Sequence, residues 1–246
     1  AAEFDAPAAS VTPEATTYDN GPAYDRAAAL LRDAERPAVY VGGGVRRSPE
    51  GPAAVRELIE ALDAPVCTSY KGKGVVPEDD PRWLGVTGSH LPAGARRVLD
   101  RPDVVLALGT DFDGVTTAGW SLPMGDRLVH VTLDADAVDA AYGTDAAVLA
   151  DAGEGARTLR DRVEGEAGGW DGAAVGEAVR AEYRDRLVDE GLLGDATAAP
   201  ARTPALCEAV RAATPREVPV TFDVGGFRLW AMQAFPAYGP ERLVAA

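Results

Sequence analysis

The feature that most constrains the fold of this chain is an alternation of short apolar runs with amphipathic stretches. The clearest run is 103–109, in which five apolar residues end at a glycine. A continuous run of this kind is typical of a strand that is buried on both faces. Residues 50–63 instead place Val55, Leu58, Ile59 and Leu62 at the spacing of one helix face. The pattern therefore favours a parallel sheet with helices around it.

The same reading extends over most of the chain. The predicted strands are 37–41, 64–68, 103–109, 127–134 and 146–149. We predict an α/β fold, a Rossmann-like parallel sheet of about six strands with helices on both faces, followed by a truncated β-α unit. Val39, Val105, Leu106 and Val131 are expected to be buried in the sheet.

Composition divides the chain into four parts. Residues 1–20 hold few large apolar side chains and predict a linker, and residues 21–165 form the α/β domain. Residues 166–205 predict a linker and a helix. Residues 206–246 predict the incomplete start of another domain.

That last part is too small to bury a core of its own. It predicts one strand, a turn at Gly225 and Gly226, and one helix, which cannot cover the aromatic side chains it carries: Phe222, Phe227, Trp230, Phe235 and Tyr238. We therefore expect that the chain stops inside a domain, and that these side chains pack on a neighbouring chain or drive self-association.

Charge and cysteine content limit the partners and the compartment. The chain has 39 acidic and 24 basic residues, a net charge of −15, which disfavours nucleic acid and anionic lipid. No apolar run approaches the length of a membrane span. Cys67 and Cys207 form neither a disulfide framework nor a zinc motif and fit a reducing compartment. We predict a cytoplasmic protein with no nucleic-acid or membrane partner.

Four landmarks occur in a fixed order along the chain. They are the runs RPAVYVGGGV (36–45), APVCTSYKGKGVVPE (64–78), DVVLALG (103–109) and ADA (150–152). Together they resemble the central domain of thiamine-diphosphate-dependent enzymes of the acetolactate synthase and benzoylformate decarboxylase group. The run DVGGFRLWA (223–231) is similar to the opening of that family's C-terminal, diphosphate-binding domain.

The resemblance implies part of a 2-oxo acid decarboxylase or carboligase that uses thiamine diphosphate and Mg²⁺. Its partners would be the remaining domains of the parent enzyme and, in a homo-oligomer, further copies. The family's activating glutamate and its GDG metal motif lie in the other domains, and neither is found here. We therefore assign no catalytic residue and no metal ligand, and expect the chain alone to be inactive.

Two groups of residues are candidates for cofactor binding. Gly42, Gly43 and Gly44 end a strand, where backbone N–H groups can approach a phosphate, although the run is not a GxGxxG fingerprint. Asp134 ends another strand and either accepts from a ribose hydroxyl or caps the helix that follows. The resemblance places Gly225 and Gly226 near the cofactor diphosphate; a turn that requires glycine is the alternative.

Arg46 and Arg47, which follow the glycine run, either neutralise a phosphate or form a solvated helix start. His90 and His130 are the only histidines. We interpret both histidines as structural residues rather than as bases or ligands.

The resemblance leaves open whether the central domain binds FAD, since acetolactate synthases hold it there and benzoylformate-type decarboxylases do not. FAD-dependent members carry an RFDDR-like run, and here both arginine positions are changed, to Asp111 and Val115. Leu91 replaces a glycine of the GMHG-like loop, and Thr132 replaces the first carboxylate of a DID pattern. We therefore expect no tight binding of FAD.

Two other functions remain open at this level. The chain could be a stand-alone nucleotide-binding or regulatory α/β module, since sirtuin-type domains share a distantly similar core, or an inert scaffold subunit. The unfinished β-α unit after residue 219 favours the enzyme interpretation, because a free-standing module has no use for it.

Overall fold

The computed structural model describes residues 20–163, 169–195, 197, 200–223 and 225–245. Apart from Asn20, the linker predicted for residues 1–20 lies outside the described residues, as does the predicted boundary at 165. The strands are β1 Pro37–Val41, β2 Val66–Thr68, β3 Trp83–Val86, β4 Val104–Leu108, β5 Arg127–Thr132, β6 Ala146–Leu149, β7 Val220–Phe222 and β8 Leu243–Ala245. The helices are α1 Gly21–Arg32, α2 Gly44–Arg47, α3 Gly51–Leu62, α4 Ala93–Leu99, α5 Ala152–Val163, α6 Gly172–Asp189, α7 Thr203–Ala213 and α8 Gly226–Ala234.

The first six strands form one sheet in the order β3-β2-β1-β4-β5-β6, and every neighbouring pair is parallel. Val39, Val105, Leu106 and Val131 are each at most 1% exposed. The predicted α/β fold and its buried strand residues are therefore confirmed.

Helices cover both faces of this sheet. One face carries Val39, Val41 and Leu106 and packs on α1, α3 and α5. Alternate residues of the same strands, such as Ala38, Tyr40 and Val105, point the other way and belong to a second cluster with α4 and α6. Side chains of neighbouring strand residues point to opposite faces, so the continuous apolar runs of the sequence serve two cores.

Helix α6 extends this layer to the edge strand β3. Its Arg180 donates to the carbonyl oxygens of Pro81 and Trp83, and a Cβ on its Gly176 would lie 2.1 Å from Pro81 O. The helix predicted within 166–205 thus packs on the α/β sheet. The domain boundaries at 165 and 205 stay a prediction.

We call residues 203–245 the tail; they comprise α7, β7, α8 and β8. Strands β7 and β8 pair in parallel as a separate two-stranded sheet. Phe222 and Phe235 are 8% and 2% exposed and share the main core cluster with Trp83 of β3, whereas Phe227 is exposed. The expectation that this chain leaves its tail aromatics uncovered is therefore wrong for Phe222 and Phe235. The tail's own elements are too few to cover these two side chains, and the central domain supplies the cover.

Among the described residues, no helix is both long enough and apolar enough to cross a bilayer.

Candidate functional site

A cleft opens at the carboxyl ends of the central strands. From β1 the chain moves outward to β2, and from β4 it moves outward to β5 on the opposite side, so the loops after β1 and β4 diverge. Ligands of open α/β sheets bind at such a switch point. The cleft has a volume of about 300 Å³, and its lining includes Gly43, Gly44, Arg47, Ser69, Lys71, Thr110, Asp111, Asp113, Thr132, Leu133, Asp134 and Asp151.

The glycine run after β1 holds two loops together. The N–H groups of Gly42 and Gly44 donate to the carbonyl oxygens of Leu108 and Gly109, each at 2.8 Å. A Cβ on Gly42 would lie 2.2 Å from Gly109 O. Gly42 is therefore required by the contact between the loops, and it does not line the cleft. Gly43 and Gly44 line the cleft, but α2 behind them is only four residues long.

Asp134 lies exposed at the mouth of the cleft, after β5. Its Oδ1 accepts from the N–H of Asp136 at 3.0 Å and caps the 3₁₀ turn Ala135–Ala137. The capping interpretation of Asp134 thus has a geometric basis. The same residue lines the cleft beside Leu133, which is 73% exposed.

Carboxylates outnumber cations in the cleft. Asp111, Asp113, Asp134 and Asp151 face Arg47 and Lys71. Besides Asp134, backbone groups orient two further carboxylates: Asp113 accepts from the N–H groups of residues 115 and 116, and Asp151 from those of residues 153 and 154. Because like charges repel most strongly where water is partly excluded, this lining opposes the diphosphate of a dinucleotide.

The two arginines after the glycine run do different things. Arg47 is exposed and lines the cleft. Arg46 turns the other way and donates to the carbonyl oxygens of Lys71 and Pro240, the second of which belongs to the tail.

Gly225 and Gly226 lie outside the cleft lining, so the structure does not bring them together with Gly43, Gly44 and Asp134. Gly225 has φ 155° and ψ 171°, a conformation that essentially only glycine adopts. Gly226 begins α8, and, apart from chain neighbours and the helix's own backbone, no heavy atom of the described residues lies within 4 Å of a Cβ built on either residue. The turn therefore needs glycine, and it presents open backbone at a helix N-terminus.

The two histidines have structural contacts. His130 is fully buried, its Nε2 lies 2.9 Å from the Thr110 carbonyl oxygen, and its ring packs 4.9 Å from that of Phe112. His90 has its Nδ1 3.0 Å from Ser89 Oγ and packs edge-on against Trp230. Burial lowers the pKa of both histidines.

In the part of the chain that the structure describes, no group of three His, Cys, Asp or Glu side chains could hold a metal ion. Cys67 and Cys207 are both buried and unbridged, and burial raises the pKa of each thiol, to about 11 for Cys207.

The sequence analysis missed a buried ion pair between Lys73 and Glu78. The Lys73 Nζ lies 2.5 and 2.6 Å from the two carboxylate oxygens, and neither side chain is more than 1% exposed. Burial raises the pKa of Glu78 to about 7 and lowers that of Lys73, while the charge of each partner acts in the opposite direction. One signal was available: the chain has only two lysines, Lys71 and Lys73, and glycines flank the second.

The comparisons with known proteins decide the family. The family model described as thiamine pyrophosphate enzyme, central domain, matches residues 24–159, which contain all six strands of the main sheet. The chain belongs to this family. The resemblance to this family is therefore confirmed. Thiamine diphosphate, usually with Mg²⁺, is the cofactor of the family. The alternative of a stand-alone module is not favoured.

Curated relatives agree with this assignment. The chain is 34% identical over 155 residues to a sulfoacetaldehyde acetyltransferase of Rhodobacter capsulatus, covering 61% of the chain and 26% of the relative. It is 28% identical over 222 residues to the acetolactate synthase isozyme 1 large subunit of Escherichia coli, covering 88% of the chain and 37% of the relative. A probable acetolactate synthase large subunit of Methanococcus aeolicus is 30% identical over 138 residues, or 56% and 23% of the two chains. The chain thus spans less than two fifths of the length of these relatives.

Proposed function

We propose that this chain contributes the central domain, and the start of the diphosphate-binding domain, to a thiamine-diphosphate-dependent enzyme that decarboxylates or ligates 2-oxo acids. The observation that carries the proposal is the family match over residues 24–159. The similarity to acetolactate synthase isozyme 1 over 88% of the chain supports the inclusion of the tail.

Gly225 and Gly226 are the residues of this chain that we propose to lie beside the cofactor diphosphate. Their open backbone at the start of the nine-residue helix α8 fits an anion, because N–H groups at a helix N-terminus favour negative charge. When bound, the thiamine group supplies an electron sink for the carbanion formed at the substrate carbonyl. We assign no catalytic residue and no metal ligand to this chain, and propose that it does not turn over 2-oxo acids alone.

The experiment compares the 246-residue chain with its parent protein. Both are incubated with thiamine diphosphate, Mg²⁺ and pyruvate or benzoylformate, and released carbon dioxide is measured. We expect release from the parent protein and none above the no-enzyme rate from the chain. Turnover by the chain contradicts the assignment of no catalytic residues, and a parent protein inactive on a panel of 2-oxo acids contradicts the proposed function.

We further propose that the central cleft does not hold FAD tightly. Its volume of about 300 Å³ is at the lower end of the roughly 300–1,000 Å³ typical of ligand pockets. Four carboxylates face two cations in its lining, and the Gly42 and Gly44 amides already donate to the β4 loop. Purified protein should lack the visible flavin absorption band, and about one flavin per chain would contradict this.

We also propose a cytoplasmic homo-oligomer without nucleic-acid or membrane partners. The net charge of −15 supports the second part, since it repels phosphates. Light scattering after size exclusion, at low and high salt, measures the oligomeric state, and a monomer at both would contradict the first part.

A further inference from the structure

One attachment of the tail to the central domain is the loop of residues 69–78, which follows β2. The Glu78 N–H donates to the Ala237 carbonyl oxygen at 3.0 Å, and the Ala237 N–H donates to Glu78 Oε2 at 3.2 Å. Close by, Gly74 has φ 84°, and a Cβ on it would lie 2.6 Å from Gly239 O. At Gly74 and at the Glu78 N–H the two backbones therefore approach each other directly, and the Glu78 carboxylate adds a side-chain contact.

Glu78 receives its orientation from Lys73. Both carboxylate oxygens contact the ammonium group, which also lies 5.8 Å from the centre of the Trp83 ring. Because neither charge reaches water, rotating the carboxylate away would leave an unpaired buried charge, which is costly. The carboxylate that accepts from Ala237 is thus held in one position.

A second attachment lies at the edge strand β3. The side-chain amide of Gln233, at the end of α8, accepts from Val86 N–H at 3.2 Å and donates to Val86 O. Gln233 is 6% exposed. Its amide therefore pairs with the backbone of Val86 on an edge strand whose one strand neighbour in the sheet is β2.

We propose that Glu78 is a positioning residue, held by Lys73, which fixes residues 235–240 and with them the orientation of α8 on the central domain. The apolar contacts of Met232 and Phe235 are not directional, whereas the hydrogen bonds to Ala237 are. The consequence for the reaction rests on the proposed function. Gly225 and Gly226 stand at the start of α8, so the Lys73–Glu78 pair would set the position of both glycines beside the diphosphate.

Hydrogen exchange of the full chain, followed by mass spectrometry, tests the proposal. The double variant Lys73→Met/Glu78→Met keeps the volume of the pair and leaves no unpaired charge, so the chain should fold. We expect residues 235–242 to exchange at least about tenfold faster than in the wild type, as expected for local opening, with β4 and α3 unchanged. The control Glu57→Met/Arg160→Met removes an exposed pair between α3 and α5 and should leave the tail unchanged.

A conservative variant separates positioning from mere packing. The companion variant Lys73→Met/Glu78→Gln keeps an oxygen that can accept from Ala237 and leaves no unpaired charge. Its exchange in 235–242 should lie between those of the wild type and the double variant. The indole N–H signal of Trp230, which packs on His90, should shift in the double variant and not in the control.

Two results would overturn the proposal: unchanged exchange in 235–242 of the double variant, or equal acceleration in 235–242 and β4. The first would show that Glu78 fixes nothing, and the second that it only stabilises the whole fold. The experiment uses no cofactor, so its failure leaves the proposed function standing, and an inactive parent protein leaves this result standing.

Discussion

The central domain and the tail are held in place by different means. Helices of the central domain cover both faces of the six-stranded sheet, and the strand residues pack against these helices. The tail has a two-stranded sheet, and Phe222 and Phe235 bury themselves against a core that central residues provide. A two-stranded unit can therefore bury large aromatic side chains when a neighbouring surface completes it.

Close contacts also join distant positions of the chain in both regions. In the central domain the loops meet backbone to backbone, as Gly42 and Gly109 do. In the tail, polar side chains reach the backbone across long stretches of sequence; Gln233 and Val86 are 147 positions apart. The tail should therefore depend on the central domain for its structure, and the two should lose their structure together.

The largest expected effect comes from a tail residue. Phe235→Ala should lower the free energy of unfolding by about 3–5 kcal/mol, because it empties a site in the shared core. Leu106→Ala in β4 is the matched change in the central sheet and should cost about 2–5 kcal/mol. Urea unfolding followed by far-ultraviolet circular dichroism measures both. A cost below about 1 kcal/mol for Phe235→Ala would show that the tail is not part of the common core.

Glycines of the two regions should respond in opposite ways. Gly42→Ala places a methyl group 2.2 Å from backbone of the β4 loop, and should cost about 1–3 kcal/mol or more. Gly226→Ala meets no atom within 4 Å and lies in a helix, so it should be neutral or stabilise by up to about 1 kcal/mol. Thermal melts of the two variants decide this, and equal shifts would contradict the packing described for the β1 loop.

The cleft of the central domain can be altered to test its charge. Asp111→Arg/Val115→Arg changes two exposed positions and should raise the affinity for FAD about tenfold, or about 1.4 kcal/mol. The control Asp111→Asn removes the carboxylate without adding a cation and should give a smaller gain. Equilibrium dialysis gives both values, and unchanged affinity in the double variant would show that charge does not limit binding.

The smallest expected effect is the pH dependence of stability. It is tested by comparing His130 of β5 with His90, which packs on Trp230 of the tail. Burial lowers the pKa of His130, so the unfolded chain takes up a proton first as pH falls below about 6.5. The contribution of neutral His130 to the free energy of unfolding should be fully present above that pH. Below it the contribution should decline, by at most about 1.4 kcal/mol per pH unit. His130→Gln should flatten the decline more than His90→Gln, because His90 is less buried. Urea titrations at pH values from neutral to mildly acidic measure it, and equal effects would contradict this ranking.

Much of the central fold was accessible from the sequence because its strands are continuous apolar runs. Strand β3 was missed, since Trp83–Val86 is short and contains Gly85, so neither length nor period marks it. The cover of Phe222 and Phe235 was missed for another reason: it depends on contacts between distant parts of the chain, which no local pattern encodes.

The candidate site residues also divide into those that the local pattern predicts and those that depend on distant contacts. Gly43, Gly44 and Asp134 follow strands of one parallel sheet, so their meeting at one edge could be anticipated. Periodicity does not predict the Lys73–Glu78 pair, because a spacing of five residues matches neither a helix nor a strand, and the carboxylate also contacts the distant Ala237. The roles of all these residues toward a cofactor stay predictions.

The measurement that tests the central claim most directly is calorimetric unfolding of the 246-residue chain. If the tail is completed by the central domain, both should melt in one transition, with a ratio of calorimetric to van't Hoff enthalpy of about one. Two separate transitions, with the tail melting first while the six-stranded sheet stays folded, would contradict the account.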